Sequence, residues 1–468
     1  MSFSRLEYSS YFGADRPTVT DDERSKGVVS AFPSIVTNDL PPIYDEKDPN
    51  ASSLVNFPNL PLVVEGQGVV AVQVTPGAEF SIILTPSPTL KDEETALQLH
   101  LTTTSAKFLQ VKGADVKEIP SVTPKGPEAA LLVPGVPDLY WLSVDKKNGI
   151  LRYGKTYRSA AVTFLGARVD IGDKETTPGP YIWIKQLKYI SILSIGGTSV
   201  LGDQLPEEVR PDLRQVSVGH LPIVSDLPPI VAESIDVTLE DLALGLTTSI
   251  ANLSPECQRL YANVSGPGVQ VDDEGFPDFS QALEYSIRTP GKLCHEKLKE
   301  KAGEFGEADM TYLRITLGSD EGNSPGVPYV MEIWPSKHKS PIHDHGEAYA
   351  VIKVLHGQIN ASYFANLNSK AQIKLEPDYT FYKGGVTWLG PDNYQVHQLH
   401  NDSDRVCVTI QCYQYANKDR AHDEYFEYLD GKTGEKKPFY PSSDWDFMTF
   451  KSRVKQEWEE HLKDLEWK

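Results

Sequence analysis

Two histidines with a single residue between them, His343 and His345 in Ser340-Pro341-Ile342-His343-Asp344-His345, are the residues whose spacing first suggests chemistry. In an extended strand, residues i and i+2 point to the same face with Cα atoms roughly 6.6 Å apart, so both imidazoles can converge on one ion. The later run Val396-His397-Gln398-Leu399-His400-Asn401 supplies a third candidate, His397, with Asn401 four residues on. His400 is the rival third ligand, but its offset of three residues from His397 turns it to the opposite face of a strand. His338 and His356 read as surface or turn residues, and His295 lacks the second histidine four residues on that a zinc-binding helix needs.

Three neutral imidazoles leave a divalent ion with its full charge and with open positions. No carboxylate follows the histidine pair at ligand spacing: Tyr349 and Ala350 stand four and five residues after His345, and Glu347 only two after it. The set therefore differs from a two-histidine-one-carboxylate centre, and it favours an anionic ligand such as a thiolate or carboxylate. By donor type alone, zinc, nickel and copper suit three histidines as well.

These residues need rigid elements to hold them. From Tyr312 to about Tyr415 short β-branched runs recur, interrupted by the turn His356-Gly357-Gln358, which predicts a small β-barrel or jelly roll with a mouth for a ligand. Helices are expected before it, in PECQRLYANV, FSQALEYSI and KLCHEKLKEKAGEF, and after it, in DWDFMTFKSRVKQEWEEHLKDLEW. Thr238 is a candidate N-cap for SIDVTLEDLALGL, with Asp241 at the capping-box position.

Upstream, VVAVQVTPG, FSIILTPSP, ALQLHLTTT and SAAVTFLGARVDI predict a second, N-terminal β-sandwich over 61–202. Asn148-Gly149 predicts a tight hairpin turn within it, through two residues that tolerate positive φ. The segment 1–60 reads as an extended or partly disordered arm and the proline-rich 203–235 as a linker, leaving 236–468 as the histidine-bearing domain. The expected fold is thus mainly β, in two domains.

A formal net charge of -20 argues against nucleic acid and anionic membranes as partners. No run approaches the length of a membrane helix, the N-terminus lacks a secretory h-region, and four cysteines make no disulfide framework, so a cytoplasmic protein is expected. A homo-oligomer stays open.

The segment from about Thr311 to Tyr415 resembles the cysteine dioxygenase family of cupins, iron(II) enzymes of cysteine metabolism that convert cysteine to cysteine sulfinic acid. The resemblance lies in Tyr312-Leu313-Arg314, Trp334, the His343/His345 strand, Gly357, the His397/Asn401 strand and Tyr413. It implies Fe(II) on His343, His345 and His397, and a substrate carboxylate on Arg314. It also implies Tyr312 and Trp334 beside the substrate, and Tyr413 donating to a ligand oxygen. Small-molecule thiol and O2 are the implied partners.

Two departures stand out. Ala350 occupies the place where many animal members have a cysteine cross-linked to the tyrosine, and Thr409 and Gln411 replace a serine and a histidine. Cys412, next to Tyr413, is expected to face the other side of its strand. Three readings follow: a cysteine dioxygenase, a dioxygenase of another small thiol such as 3-mercaptopropionate, or a metal-binding cupin without turnover. In the other half, the segment Tyr140–Lys155 resembles the strand-turn-strand of farnesoic acid methyltransferase-like β-sandwiches.

Overall fold

A computed structural model describes residues 36–39, 53–172, 178–195, 197–199, 207–209, 212–223, 226–233, 235–318, 329–346, 348–367, 372–415, 426–440 and 442–466. Two six-stranded antiparallel sheets form the N-terminal unit. One runs Val36–Asp39, Asp212–Gly219, Gln67–Thr75, Asp138–Asp145, Ile150–Lys155, Thr163–Arg168 in spatial order, and the other Ser53–Phe57, Tyr189–Ile195, Glu79–Thr85, Ala96–Thr102, Ala106–Lys112, Asp115–Ile119. Alternate residues of both, among them Val70, Val72, Trp141, Tyr153, Phe80, Ile82 and Leu99, bury one shared core, which makes a β-sandwich.

Three expectations need correction here. Of the predicted arm, Val36–Asp39 and Ser53–Phe57 are edge strands of the sandwich, while 1–35 and 40–52 lie outside the described residues. Within the predicted linker, Asp212–Gly219 pairs centrally with Gln67–Thr75, because Val216 and Val218 alternate between the flanking prolines, and Ile230–Ala232 joins the second domain. The hairpin loop has four residues, Lys146 to Gly149; Gly149 alone is left-handed there (φ 62), and Asp145 Oδ1 accepts from the backbone N–H of Lys147 (2.9 Å) and Asn148 (3.1 Å).

The C-terminal unit is a pair of facing sheets, not a closed barrel. An eight-stranded sheet runs Thr248–Ser249, Ile230–Ala232, Val386–Leu389, Tyr349–His356, Cys407–Gln414, Tyr329–Trp334, Leu313–Gly318, Trp445–Asp446. A six-stranded sheet runs Lys374–Tyr382, Gln358–Phe364, Val396–His400, Ile342–His343, Phe426–Leu429, Lys436–Phe439. Gly357 is the crossing point between them: its φ is 73, and a Cβ there would meet the Val406 carbonyl oxygen at 2.6 Å.

The expected helices form at Pro255–Val264, Phe279–Arg288, Leu293–Lys301 and Phe447–Glu466 and pack on the outer face of the large sheet. Thr238 and Asp241 make the capping box at Leu239–Leu244, so the shorter aspartate reaches the N-cap N–H at 2.9 Å. Among the described residues, no helix is long and apolar enough to cross a membrane.

Strand alternation sorts the large sheet into two environments. Leu313, Ile315, Met331, Ile333, Val408, Ile410 and Cys412 face the helices and form an apolar core. The intervening Arg314, Glu332, Trp334, Gln411 and Tyr413 face the space between the sheets.

The two domains meet beside the second sheet. Arg158 of the sandwich forks onto Asp392 (3.1 and 2.9 Å), and Asp226 caps the turn at Ala160–Val162 by accepting from Ser159 Oγ and Ala160 N, both at 2.8 Å.

Candidate metal centre

His343, His345 and His397 converge between the sheets, with ring centroids 4.7 to 4.8 Å apart and ligand atoms within 4.8 Å of one another. His343 closes the two-residue strand Ile342–His343 and pairs directly with His397. His345 lies beyond the strand end, in the loop before Tyr349–His356, so the expected same-face strand geometry covers His343 only. Ser340, fully buried, fixes the approach: its N–H donates to Leu399 O (2.8 Å), and its Oγ accepts from Leu399 N (3.0 Å). Asn401 locks the end of the strand that carries His397 by donating from Nδ2 to Trp334 O (2.9 Å) and Arg405 O (2.7 Å).

The imidazoles are set up to give lone pairs. His343 Nδ1 lies 3.0 Å from Pro341 O and His397 Nδ1 3.2 Å from Tyr394 O. A carbonyl can only accept, so these nitrogens carry the protons and Nε2 of each is free. Burial pushes His343 down to about 4 and His397 to about 3. Burial, then the neighbouring His397, His343 and Arg314, holds His345 far below its ordinary value. All three are neutral at physiological pH.

Both ring nitrogens of His345 are buried and without a hydrogen-bond partner. Orphaned polar atoms of this kind are rare in a folded interior, and a metal ion would satisfy one of them. Three neutral imidazole nitrogens fit iron(II). His400 is not part of the cluster: its Nδ1 meets Asp402 (2.9 Å) and its Nε2 Ser362 (3.3 Å). His338 Nδ1 meets Thr311 O (2.8 Å) and His295 Nδ1 meets Ile287 O (3.1 Å). Glu347 lies outside the described residues.

The triad shares a small cavity with Tyr312, Arg314, Glu332, Trp334, Gln411 and Tyr413, and its free volume of about 10 Å³ is room for roughly one water. Tyr312 stacks on Trp334 at 4.5 Å, and Trp334 Nε1 donates to Thr409 Oγ1 (3.1 Å). A wider pocket of about 310 Å³, lined by Lys297, Lys301, Glu304 and Asp444, shares Tyr312, Arg314 and Phe439 with the cavity. These three form the partition between outer pocket and metal site.

Sequence reasoning missed Glu332. It stands opposite Arg314 in strand register, its Oε1 3.8 Å from Arg314 Nη1, and both side chains are buried. Gln411 Nε2 donates to Glu332 Oε2, and Tyr413 Oη donates to Gln411 Oε1. The chain Arg314–Glu332–Gln411–Tyr413 thus spans the cavity wall. Gln411 bridges acceptor and donor as a histidine can, but it cannot titrate. The available signal was alternation: in Tyr-Val-Met-Glu-Ile-Trp, Glu332 shares a face with Trp334. Cys412 faces the helices, as alternation predicts.

Residues 303–422 match the family described as Cysteine dioxygenase type I. Similar solved structures include a Cupin_2 domain of an XRE family transcriptional regulator from Enterobacter cloacae (13% identity, 23% of this chain and 98% of that one, TM-score 0.19). Two others are a cupin superfamily protein from Desulfitobacterium hafniense (8%, 23% and 79%, 0.17) and a Cupin 2 conserved barrel domain protein from Salinispora arenicola (18%, 23% and 76%, 0.17). Over residues 303–422 the chain is similar to the cysteine dioxygenase type I family.

Proposed function

We propose that the C-terminal domain is an iron(II)-dependent thiol dioxygenase that adds both atoms of O2 to the sulfur of a small thiol, giving a sulfinate, with cysteine as the leading substrate. The observation that carries this reading is the triad of half-buried His343 with buried His345 and His397, in one cavity with Arg314 and Tyr413. Iron(II) on the three imidazoles would bind the thiol as thiolate and activate O2.

The remaining work falls to side chains of this chain. Arg314 presents a planar fork that can hold a carboxylate through two N–H groups and so fix the sulfur's position. Tyr413, pushed well above its ordinary pKa by burial, stays a phenol, and its proton, given to Gln411 Oε1 in the structure, would have to turn from Gln411 to reach a substrate oxygen. Tyr312 and Trp334 wall the substrate and exclude water from the site. A cytoplasmic setting suits the four unpaired, buried cysteines.

Oxygen uptake by the iron-loaded protein, measured with a panel of thiols and with sulfinate as the product detected, tests the proposal. Absence of sulfinate from every thiol on fully loaded protein refutes it. A second reading, a dioxygenase of another small thiol, is favoured by Gln411 in place of the family's histidine, and the same panel distinguishes it.

A further inference from the structure

The cavity that holds His343, His345 and His397 has a free volume of about 10 Å³, room for roughly one water. An organic molecule is several times that size, so part of the wall has to move to admit one. The outer pocket of about 310 Å³ shares Tyr312, Arg314 and Phe439 with the cavity. Two of these three are held on more than one side. Tyr312 stacks on Trp334 (4.5 Å) and on Phe305 (6.3 Å), and Lys301 Nζ lies 5.6 Å from its ring centroid. Arg314 is clamped through its backbone: its N–H donates to Asp444 Oδ2 (2.8 Å), and its carbonyl accepts from Asp444 N (2.7 Å).

Phe439 is held less. It is the last residue of Lys436–Phe439, a four-residue strand at the edge of the six-stranded sheet, paired on one side only. Its ring is half-buried, and among the described residues its one aromatic partner is Phe305, edge-on at 5.2 Å. In register it stands opposite Phe426, whose ring stacks on His345 at 5.2 Å. Strand partners share a face, so Phe439 continues the cover over the histidines outward to the pocket. Rotation about its side-chain bonds moves that cover without breaking a strand hydrogen bond.

We propose that Phe439 is the gate of the histidine cavity: small polar molecules enter the outer pocket, between the helix Leu293–Lys301 and the edge strand, and reach His343, His345 and His397 when the Phe439 ring swings out. Pocket volume and lining, with Lys297, Lys301, Glu304 and Asp444 around the mouth, suit a small polar molecule. The gate concerns access alone and stands whether or not a thiol is oxygenated at the site.

The test follows acylation of individual histidines by diethyl pyrocarbonate in the metal-free full chain, mapped by mass spectrometry. His356 and His461 lie outside the cavity and report the general reactivity of the fold. The pocket can be plugged without touching the ring. Ser442 is exposed and lines it, and the four natural cysteines are buried, so Ser442→Cys takes N-phenylmaleimide at that position. The label should slow acylation of His343, His345 and His397 several-fold relative to unlabelled Ser442→Cys and leave His356 and His461 unchanged. Phe439→Val, smaller but suited to a strand, should speed the same three by at least about tenfold, the factor by which a gate open in about a tenth of molecules hides a site. The label should cancel that gain in the double variant. Triad histidines that react equally fast with the pocket plugged overturn the proposal, and that comparison stands even where Phe439→Val does not fold. Unchanged acylation of the triad in folded Phe439→Val overturns it too, as does a rise shared by His356 and His461. Oxygen uptake enters none of these measurements, so failure of the gate and failure of the dioxygenase reading are separate results.

Discussion

His343 and His397 stand directly opposite each other across two antiparallel strands, so the candidate metal site is set by strand pairing as much as by the spacing of His343 and His345. Antiparallel partners have Cβ atoms about 4.5–5.5 Å apart, which suits two imidazoles converging on one ion. His397→Ala removes one of three donors and should lower metal affinity by at least about 100-fold, beyond the 10–100-fold typical of losing an outer partner. His400→Ala is the matched control, because His400 engages Asp402 and Ser362 instead. Metal content after dialysis checks both. Stoichiometric iron in His397→Ala would show that the ligand assignment is wrong.

Arg314→Ala should weaken thiols that carry a carboxylate far more than cysteamine. A charge-assisted hydrogen bond is worth about 1.5–3 kcal/mol, so roughly 10- to 150-fold in kcat/KM is expected for cysteine. The substitution also leaves Glu332 buried without its partner, at a cost of about 3–5 kcal/mol of stability. Arg314→Lys keeps a cation and loses the planar fork, so it separates the two effects. Equal losses for cysteine and cysteamine in Arg314→Lys would remove the proposed role.

Much of this site was readable from residue order, because ligand spacing, a turn glycine and strand alternation are all local. Alternation correctly turned Cys412 away from the cavity and His400 away from the triad. What escaped was the partner of Arg314. Arg314 and Glu332 lie on neighbouring strands, and only register makes them face each other. The same holds for Asp212–Gly219, which the prolines around it disguised as linker although its partner is the distant strand Gln67–Thr75. Nonlocal pairing leaves little trace in any one segment.

The sandwich braces the segment that carries His397. Arg158 grips Asp392, and Asp392 belongs to the turn at Gly390 and Asn393 that leads into Gln395 and His397. Gln395 Nε2 ties the same segment to Ala348 O (2.7 Å), next to the His345 loop. Arg158→Ala should therefore lower metal affinity by a few-fold, less than the 10–100-fold of a direct outer partner. Metal titration of the intact chain reads this out, with Lys107→Ala, at an exposed sandwich ion pair, as the control. Unchanged affinity would limit the sandwich to a separate role.

Ala350 stands opposite Tyr413 across the pair Tyr349–His356 and Cys407–Gln414, and the two side chains pack together with Leu389. A cysteine at 350 would bring its sulfur against the Tyr413 ring at the distance of direct strand partners, about 4.5–5.5 Å between Cβ atoms. Joining sulfur to a ring carbon removes one hydrogen from each, with O2 as the acceptor. Ala350→Cys, incubated in air with iron(II) and cysteine, should therefore lose about 2 Da in intact mass. The site is fully buried, and cysteine adds only a sulfur to alanine, so a modest overpacking cost of about 1–3 kcal/mol is the main risk to folding. Adding Tyr413→Phe should abolish the mass change, because the phenol is what makes the ring oxidisable. Cross-linking that persists without the phenol, or its absence in a folded Ala350→Cys protein, would mean that Tyr413 does not face position 350 as its strand register implies.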